Sequence, residues 1–402
     1  MNLTEAVAAM GSGALTEERL RLHVFPLFSA TFAKPGIYLA NHSLGRPLDQ
    51  TEDDLREGFH LWQSKLGDAW DGWMDEERAH RSRLAKLIGA SRPDCIVPKT
   101  SAGQGLRTVL NALGGVPRVV STMGEFDSVD VILKQYAAVG RIRLQLVSCQ
   151  GADGGIDLSE WMETIRDGVD LVVISQVMFM TGQIVHDLDT VAERCHRVGA
   201  RLLVDAYHAV GVFPIDVAGM NADFMIGGSY KYLRGGPGAA FLYVSPDAIS
   251  SGLKPVDIGW FAKEQPFNYE RPDPPRFASG GDAFLESTPP VLTYYQARAG
   301  QQLTLELGVA RIREYAMDRL GHLKRYLADA GIEAEGADGD HGAFLTIETD
   351  SAVSLAEALE DGGITTDARG RFLRLSPDYL TPDSAMREVA AALARCLHRV
   401  VS

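Results

Sequence analysis

Cysteine is scarce in this chain. Cys95, Cys149, Cys195 and Cys396 are scattered through 402 residues, and no two of them form a C-x-x-C pair. That spacing excludes a zinc ribbon and a thioredoxin-type site, and it fits buried free thiols in a reducing compartment. No ligand spacing points to a metal. Long apolar runs are missing as well. No stretch approaches 18 uncharged apolar residues, so no membrane span is expected. Positive charge is the minority sign, with 39 Lys and Arg against 53 Asp and Glu and a formal net charge of −14. Nucleic acid is therefore not expected as a partner, because a phosphate backbone needs clustered cations. The opening MNLTEAVAAMGSGALTEERL has neither the basic start nor the apolar core of a signal peptide. A cytoplasmic protein is the expectation.

What is present is ordinary globular composition, 46% hydrophobic and 23% charged, enough to build a large core. Residues 50–90 read as charged and helical. Beyond them, short β-branched runs alternate with stretches long enough for helices. The runs are Arg118-Val-Val-Ser121, Ile142–Val147, Asp170–Ser175, Arg201–Asp205, Asp223–Gly227 and Ala239–Val244. Continuous apolar strands between helices predict an α/β fold with a mainly parallel sheet covered on both faces. Residues 262–292, rich in Pro, Gly and charge, read as a long ordered loop. A long, interrupted helix over 293–330 and a tail of short strands and helices predict a smaller C-terminal α/β domain. The expected division is an N-terminal arm (1–50) that joins the small domain, a large domain (51–292), and a connecting helix with the small domain (293–402).

Two residues stand out. Asp205 ends an apolar strand, which places its carboxylate at the edge of the sheet where sites form. Lys231 follows another apolar strand and lies among Gly227, Gly228, Gly235, Gly236 and Gly238. A covalently bound cofactor needs a lysine of this kind, partly desolvated and with a backbone that allows close approach. An aspartate one strand away is suited to pair with a pyridinium nitrogen and sustain an electron sink. Ahead of them, Lys99-Thr-Ser-Ala-Gly-Gln-Gly105 precedes a helical run. Its hydroxyls and helix N-terminus suit an anion, and equally a plain helix cap. Tyr230, next to the lysine, carries a phenol suited to a phosphate contact and to proton transfer.

The pieces Asp-x-x-His-Ala-Val-Gly (205–211) and Tyr-Lys-Tyr-Leu-x-Gly-Gly-Pro-Gly (230–238) resemble the pyridoxal-phosphate enzymes of fold type I. Within these, the sequence is most similar to the class V aminotransferase group and its kynureninases. Gly259-Trp-Phe261, Pro266-Phe267, Arg276-Phe277, Thr288-Pro-Pro290, Ser43-Leu-Gly45 and Arg374-Leu-Ser-Pro377 extend the resemblance in the family's order. The resemblance implies pyridoxal 5'-phosphate as cofactor, with Lys231, Asp205 and Tyr230 as catalytic residues. It implies cofactor contacts from Thr100 and Ser101 to the phosphate, from Phe126 by stacking, and from Ser128 and His208. Trp260 and Thr288 would reach the phosphate from the partner subunit of a homodimer. Arg374 would hold an amino-acid carboxylate, with His42 and Ser43 on the substrate side.

The pattern also departs from the family. Ala40-Asn-His-Ser-Leu-Gly45 stands where kynureninases have Asp-Gly-Asn-Ser-Leu-Gly. Val129 replaces an acid after Phe126-Asp-Ser128, leaving Asp127 and Asp130 as nearby carboxylates. Trp70-Asp-Gly-Trp73 matches nothing in the family. These departures lie on the substrate side and at one cofactor edge. The resemblance implies hydrolysis of L-kynurenine or 3-hydroxykynurenine to anthranilate and alanine. The alternatives are transamination or β-elimination on another amino acid, and a non-catalytic protein on the same fold. Desulfuration is disfavoured, since no cysteine sits in a mobile Gly-rich loop.

Overall fold

A computed structural model describes residues 2–152 and 154–400, with side chains as far as Leu397. Its strands are β1 (Ile37–Tyr38), β2 (Ile96–Lys99), β3 (Arg118–Thr122), β4 (Arg143–Val147), β5 (Leu171–Ser175) and β6 (Arg201–Asp205). They continue with β7 (Phe224–Gly228), β8 (Ala240–Val244), β9 (Leu345–Glu348), β10 (Ile364–Thr365), β11 (Asp367–Arg369) and β12 (Phe372–Leu375). Seven of them form the central sheet in the order β2-β8-β7-β6-β5-β3-β4. β3 to β7 run parallel, and β8 runs against both of its neighbours.

Both faces of this sheet's central part are covered, which is why β5 to β8 read as nearly unbroken apolar runs, whereas the edge strand β4 alternates exposed and half-buried residues. Val172, Ile174, Leu202 and Val204 pack into one core. Their neighbours Leu171, Val173 and Leu203 alternate into the other. The expected strands appear at nearly their expected places. The helical stretch over 50–90 is two helices, Gln50–Lys65 and Ala69–Ile88. The interrupted helix breaks at Gly308 (φ 85°), between Leu292–Leu307 and Val309–Asp329. The loop over 262–292 is ordered through two short 3-10 turns, Pro266–Asn268 and Gly280–Phe284.

A second sheet has the order β11-β12-β9, and β1 pairs in parallel with β10. Leu39 shares a core with Leu345, Ile364, Leu373 and Leu375. The first forty residues therefore reach across to the C-terminal part. Among the described residues, no helix is long and apolar enough to cross a membrane.

The topology gathers the site. β2, β3, β5 and β6 end at Lys99, Thr122, Ser175 and Asp205, and Lys231 follows β7 by three residues. These strands run the same way, so all five positions lie along one carboxyl edge, where sites of open α/β sheets form.

Candidate active site

Asp205 is the last residue of β6 and is buried at 4% exposure. Its Oδ1 accepts from the Tyr207 backbone N–H at 2.9 Å. Its Oδ2 is buried with no hydrogen-bond partner, an acceptor poised for a group still to be supplied. Burial pushes the carboxyl above its usual range, against the backbone hydrogen bond and the Lys231 charge.

Lys231 is equally buried. Its Nζ donates to His208 Nε2 at 2.6 Å and lies 5.7 Å from the ring centres of Phe126, Tyr207 and Tyr230. Desolvation lowers its proton affinity, Arg374 lowers it further, and Asp205 opposes them. A largely desolvated amine with a depressed pKa is a nucleophile near neutral pH. Burial holds His208 well below its ordinary range, with Lys231 adding to the effect, so the imidazole is neutral and accepts. Burial raises the Tyr230 phenol to about 12, and it remains a donor.

The lysine loop is pinned from two sides. Gly45 N donates to the Tyr230 carbonyl at 2.8 Å, and a Cβ at Gly45 would collide with the Lys231 carbonyl oxygen. Only glycine lets the Ser43-Leu-Gly45 turn approach this closely. Arg234, at φ 56°, bonds to Asp378 and, at 2.6 Å, to the Tyr379 hydroxyl. Arg46 reaches the same Asp378 at 2.5 Å.

Phe126 sits at the start of the helix Asp127–Ala138, edge-on to Phe179 at 5.1 Å between ring centres. Ser128 is in the first turn of that helix. Of the two nearby acids, Asp130 pairs with Lys134 at 2.7 Å and Asp127 is exposed. The carboxylate that does sit among the strand ends is Glu125. It accepts from Thr122 Oγ1 at 2.7 Å and from Ser175 Oγ at 2.6 Å, linking β3 to β5. Ser175 pairs in register with Asp205. Burial raises Glu125 to about 7, and the Asp205 charge adds to the shift. Sequence reading missed Glu125. Its signal was an acid directly before an expected stacking aromatic.

Ser101 caps the helix Ala102–Ala112 by accepting from Gln104 N at 3.1 Å, and Thr100 donates to Gln104 Oε1 through N–H and hydroxyl. Capping and an anion site are compatible, because a cap answers only part of the first turn's N–H groups. Trp260 Nε1 donates to Thr288 Oγ1 at 3.3 Å. Trp260 also packs edge-on to Trp70 at 6.2 Å, so the unmatched Trp70-Asp-Gly-Trp73 segment supports this corner.

Arg374 is 1% exposed, with its guanidinium 4.9 Å from the Phe179 ring centre and 5.5 Å from that of Phe344. Nη1 donates to the Phe179 carbonyl at 2.7 Å and Nη2 to Asp367 Oδ2 at 2.9 Å. Ser43 donates to the same oxygen. His42 Nε2 stands 3.5 Å from it, fully buried beside Phe344. Burial drops His42 to about 3, leaving a neutral ring. Asp367 is a second residue the sequence reading missed. It pairs in register with Arg374 across a tight β11–β12 hairpin, a pairing visible only in the folded chain.

The structure thus brings together Lys231, Asp205, His208, Tyr230 and Phe126 at one edge, and Arg374, His42 and Ser43 beside them. The residues fit a pyridine cofactor: a desolvated amine, an unpartnered carboxylate oxygen and an aromatic wall converge. Among the described residues, no cluster of three or more His, Cys, Asp or Glu side chains is placed to hold a metal ion.

Comparison with known proteins agrees with this geometry. Residues 48–364 match the model of the family described as aminotransferase class-V. An uncharacterized aminotransferase of Bacillus subtilis, YcbU, is 28% identical over 337 residues, covering 83% of this chain and 87% of its own. A kynureninase of Deinococcus radiodurans is 29% identical over 386 residues, covering 91% and 92%. The apo structure of a cysteine desulfurase from Thermococcus onnurineus NA1 superposes with a TM-score of 0.82 at 18% identity, covering 97% of this chain and 100% of that one. At that identity the last likeness concerns fold alone.

Proposed function

This chain belongs to the class V aminotransferase family, is a kynureninase-like enzyme dependent on pyridoxal 5'-phosphate, and on that premise we propose that it hydrolyses L-kynurenine or 3-hydroxykynurenine. Water enters, and anthranilate (or its hydroxylated form) and alanine leave. The observation that carries the reading is the convergence of the buried Lys231 amine, the unpartnered Asp205 oxygen and the buried Arg374 fork within one aromatic enclosure.

The cofactor supplies an electron sink at the substrate α-carbon. Lys231 Nζ holds it and then moves the α-proton. The low proton affinity of a desolvated amine suits that exchange at neutral pH. Asp205 Oδ2 would pair with the cofactor's ring nitrogen and keep it protonated. Phe126 would stack on the ring, Ser128 and His208 would line it, and Thr100, Ser101 and Tyr230 would hold the phosphate. Trp260 and Thr288 would complete the phosphate site from a second copy in a homodimer. Arg374 fixes the α-carboxylate through its fork, and Ser43 and His42 meet the rest of the substrate. Orientation of this kind lowers the barrier by restricting the reacting geometry.

A second reading is transamination or β-elimination on another amino acid. The buried neutral His42, where kynureninases have Asn, favours it by changing the hydrogen bonds offered to the substrate side chain.

The test is to load the protein with pyridoxal phosphate, record its visible spectrum, and add L-kynurenine while following anthranilate fluorescence. A visible band lost in Lys231→Ala, together with anthranilate release, is the expected result. The band without anthranilate overturns kynurenine hydrolysis and directs the search to other amino acids and 2-oxo acid acceptors.

A further inference from the structure

Two arginines bear on the site, and one carboxylate answers both. Asp367 Oδ2 accepts from Arg374 Nη2 at 2.9 Å, and Asp367 Oδ1 lies 2.7 Å from Arg369 Nη1. The Ser43 hydroxyl also donates to Oδ2. Arg369 is within electrostatic reach of Lys231, whose proton affinity it lowers. The two histidines facing this group, His42 and His208, are held neutral by burial. Arg374 keeps one edge open, because its Nε is buried without a hydrogen-bond partner. That Nε is the donor left over for a substrate carboxylate.

We propose that Asp367 is a specificity-determining residue that, by answering both Arg374 and Arg369, restricts the site to monocarboxylic amino acids with uncharged side chains and rejects dicarboxylic ones. The inference rests on the reading that Arg374 takes the α-carboxylate. A side-chain carboxylate entering this enclosure needs a second cation. It finds the half-exposed Arg369 already paired and the charge of the buried Asp367 opposing it, and at that buried carboxylate charges are poorly screened. The walls it meets are Phe179 and Phe344, which suit an apolar or aromatic side chain. His42, Ser43 and Arg374 surround Asp367 from two elements of the fold, and these partners keep it ionised. Burial alone would raise its pKa, but the nearby His42, the Arg374 charge and the Ser43 hydrogen bond hold it well below the usual carboxylate range. Discrimination of this sort works by an unfavourable charge rather than a better contact.

The experiment titrates the pyridoxal-phosphate holoenzyme with L-kynurenine, L-phenylalanine and L-alanine on one side, and L-aspartate and L-glutamate on the other. Binding is read from the change in visible absorbance rather than from turnover. The wild type is expected to respond to at least one neutral amino acid at concentrations about 30-fold below those needed for either acid. Asp367→Asn, which keeps the shape and one acceptor, is expected to narrow that ratio about tenfold by gaining the acids. Asp367→Glu, which keeps the charge, is expected to retain the discrimination. Equal response of the wild type to acidic and neutral amino acids overturns the inference, as does an unchanged ratio in Asp367→Asn. If Arg374→Lys leaves neutral amino-acid affinity unchanged, the carboxylate reading and the inference fall together. The preceding outcomes overturn the inference alone.

Discussion

The Lys231 amine and the His208 imidazole meet at 2.6 Å inside a buried aromatic enclosure. Two groups that ordinarily carry protons share a site where burial disfavours charge on both. The imidazole stays neutral and accepts, which orients the amine without a carboxylate touching it. The lysine is thereby aimed while remaining deprotonatable.

His208→Phe tests this aim. Phenylalanine suits the neighbouring Phe179 and Phe344 rings but removes the acceptor. A hydrogen bond of ordinary net strength corresponds to a loss in cofactor affinity of roughly 3- to 10-fold. Titration with pyridoxal phosphate followed by the visible band measures it. Unchanged affinity would mean the contact only reflects packing.

Asp205→Asn removes a charge while keeping the Tyr207 backbone contact. Because the carboxylate is proposed to act on the ring nitrogen, kcat is expected to fall about 100-fold or more. KM should move far less, since Asp205 is assigned to the cofactor and not to the substrate. Steady-state kinetics on the reactive amino acid separate the two.

Glu125 makes stability depend on pH. Its folded-state pKa is raised from 4.5 to about 7 by burial. The folded state therefore binds more protons than the unfolded state between those values, and stability falls as pH rises through the window. Glu125→Gln should flatten this slope and raise stability above pH 7 by roughly 1–3 kcal/mol. Thermal melts at half-unit pH intervals decide the matter. A wild-type melting profile that does not fall across the window would contradict it.

Gly45→Ala should be far worse than an ordinary surface change. The new Cβ meets the Lys231 carbonyl oxygen, which cannot retreat without moving the lysine. A loss of about 1–3 kcal/mol is expected from the overpacking, with weaker cofactor retention. Differential melting with and without pyridoxal phosphate reads both effects.

Much of this protein follows from its sequence. Strands β5 to β8 read as nearly continuous apolar runs because both faces of the sheet are buried there, and that composition survives any detail of packing. Asp205 and Lys231 were legible because strand ends and glycine-rich turns are local features, written in consecutive residues. Ser101 was legible as a helix start for the same reason. Glu125 and Asp367 were not, because their importance lies in partners far along the chain. Glu125 matters through Ser175, fifty residues on, and Asp367 through Ser43, more than three hundred residues back. An isolated acid has no local signature that tells a solvated charge from a buried one. Only tertiary structure removes the water, brings the arginines to one carboxylate and leaves the Arg374 Nε and Asp205 Oδ2 unanswered. The sequence by itself determined the sheet and singled out the pair proposed to be reactive. The folded chain decided their electrostatics, because charge energies depend on burial and distance that neighbouring residues along the chain do not set.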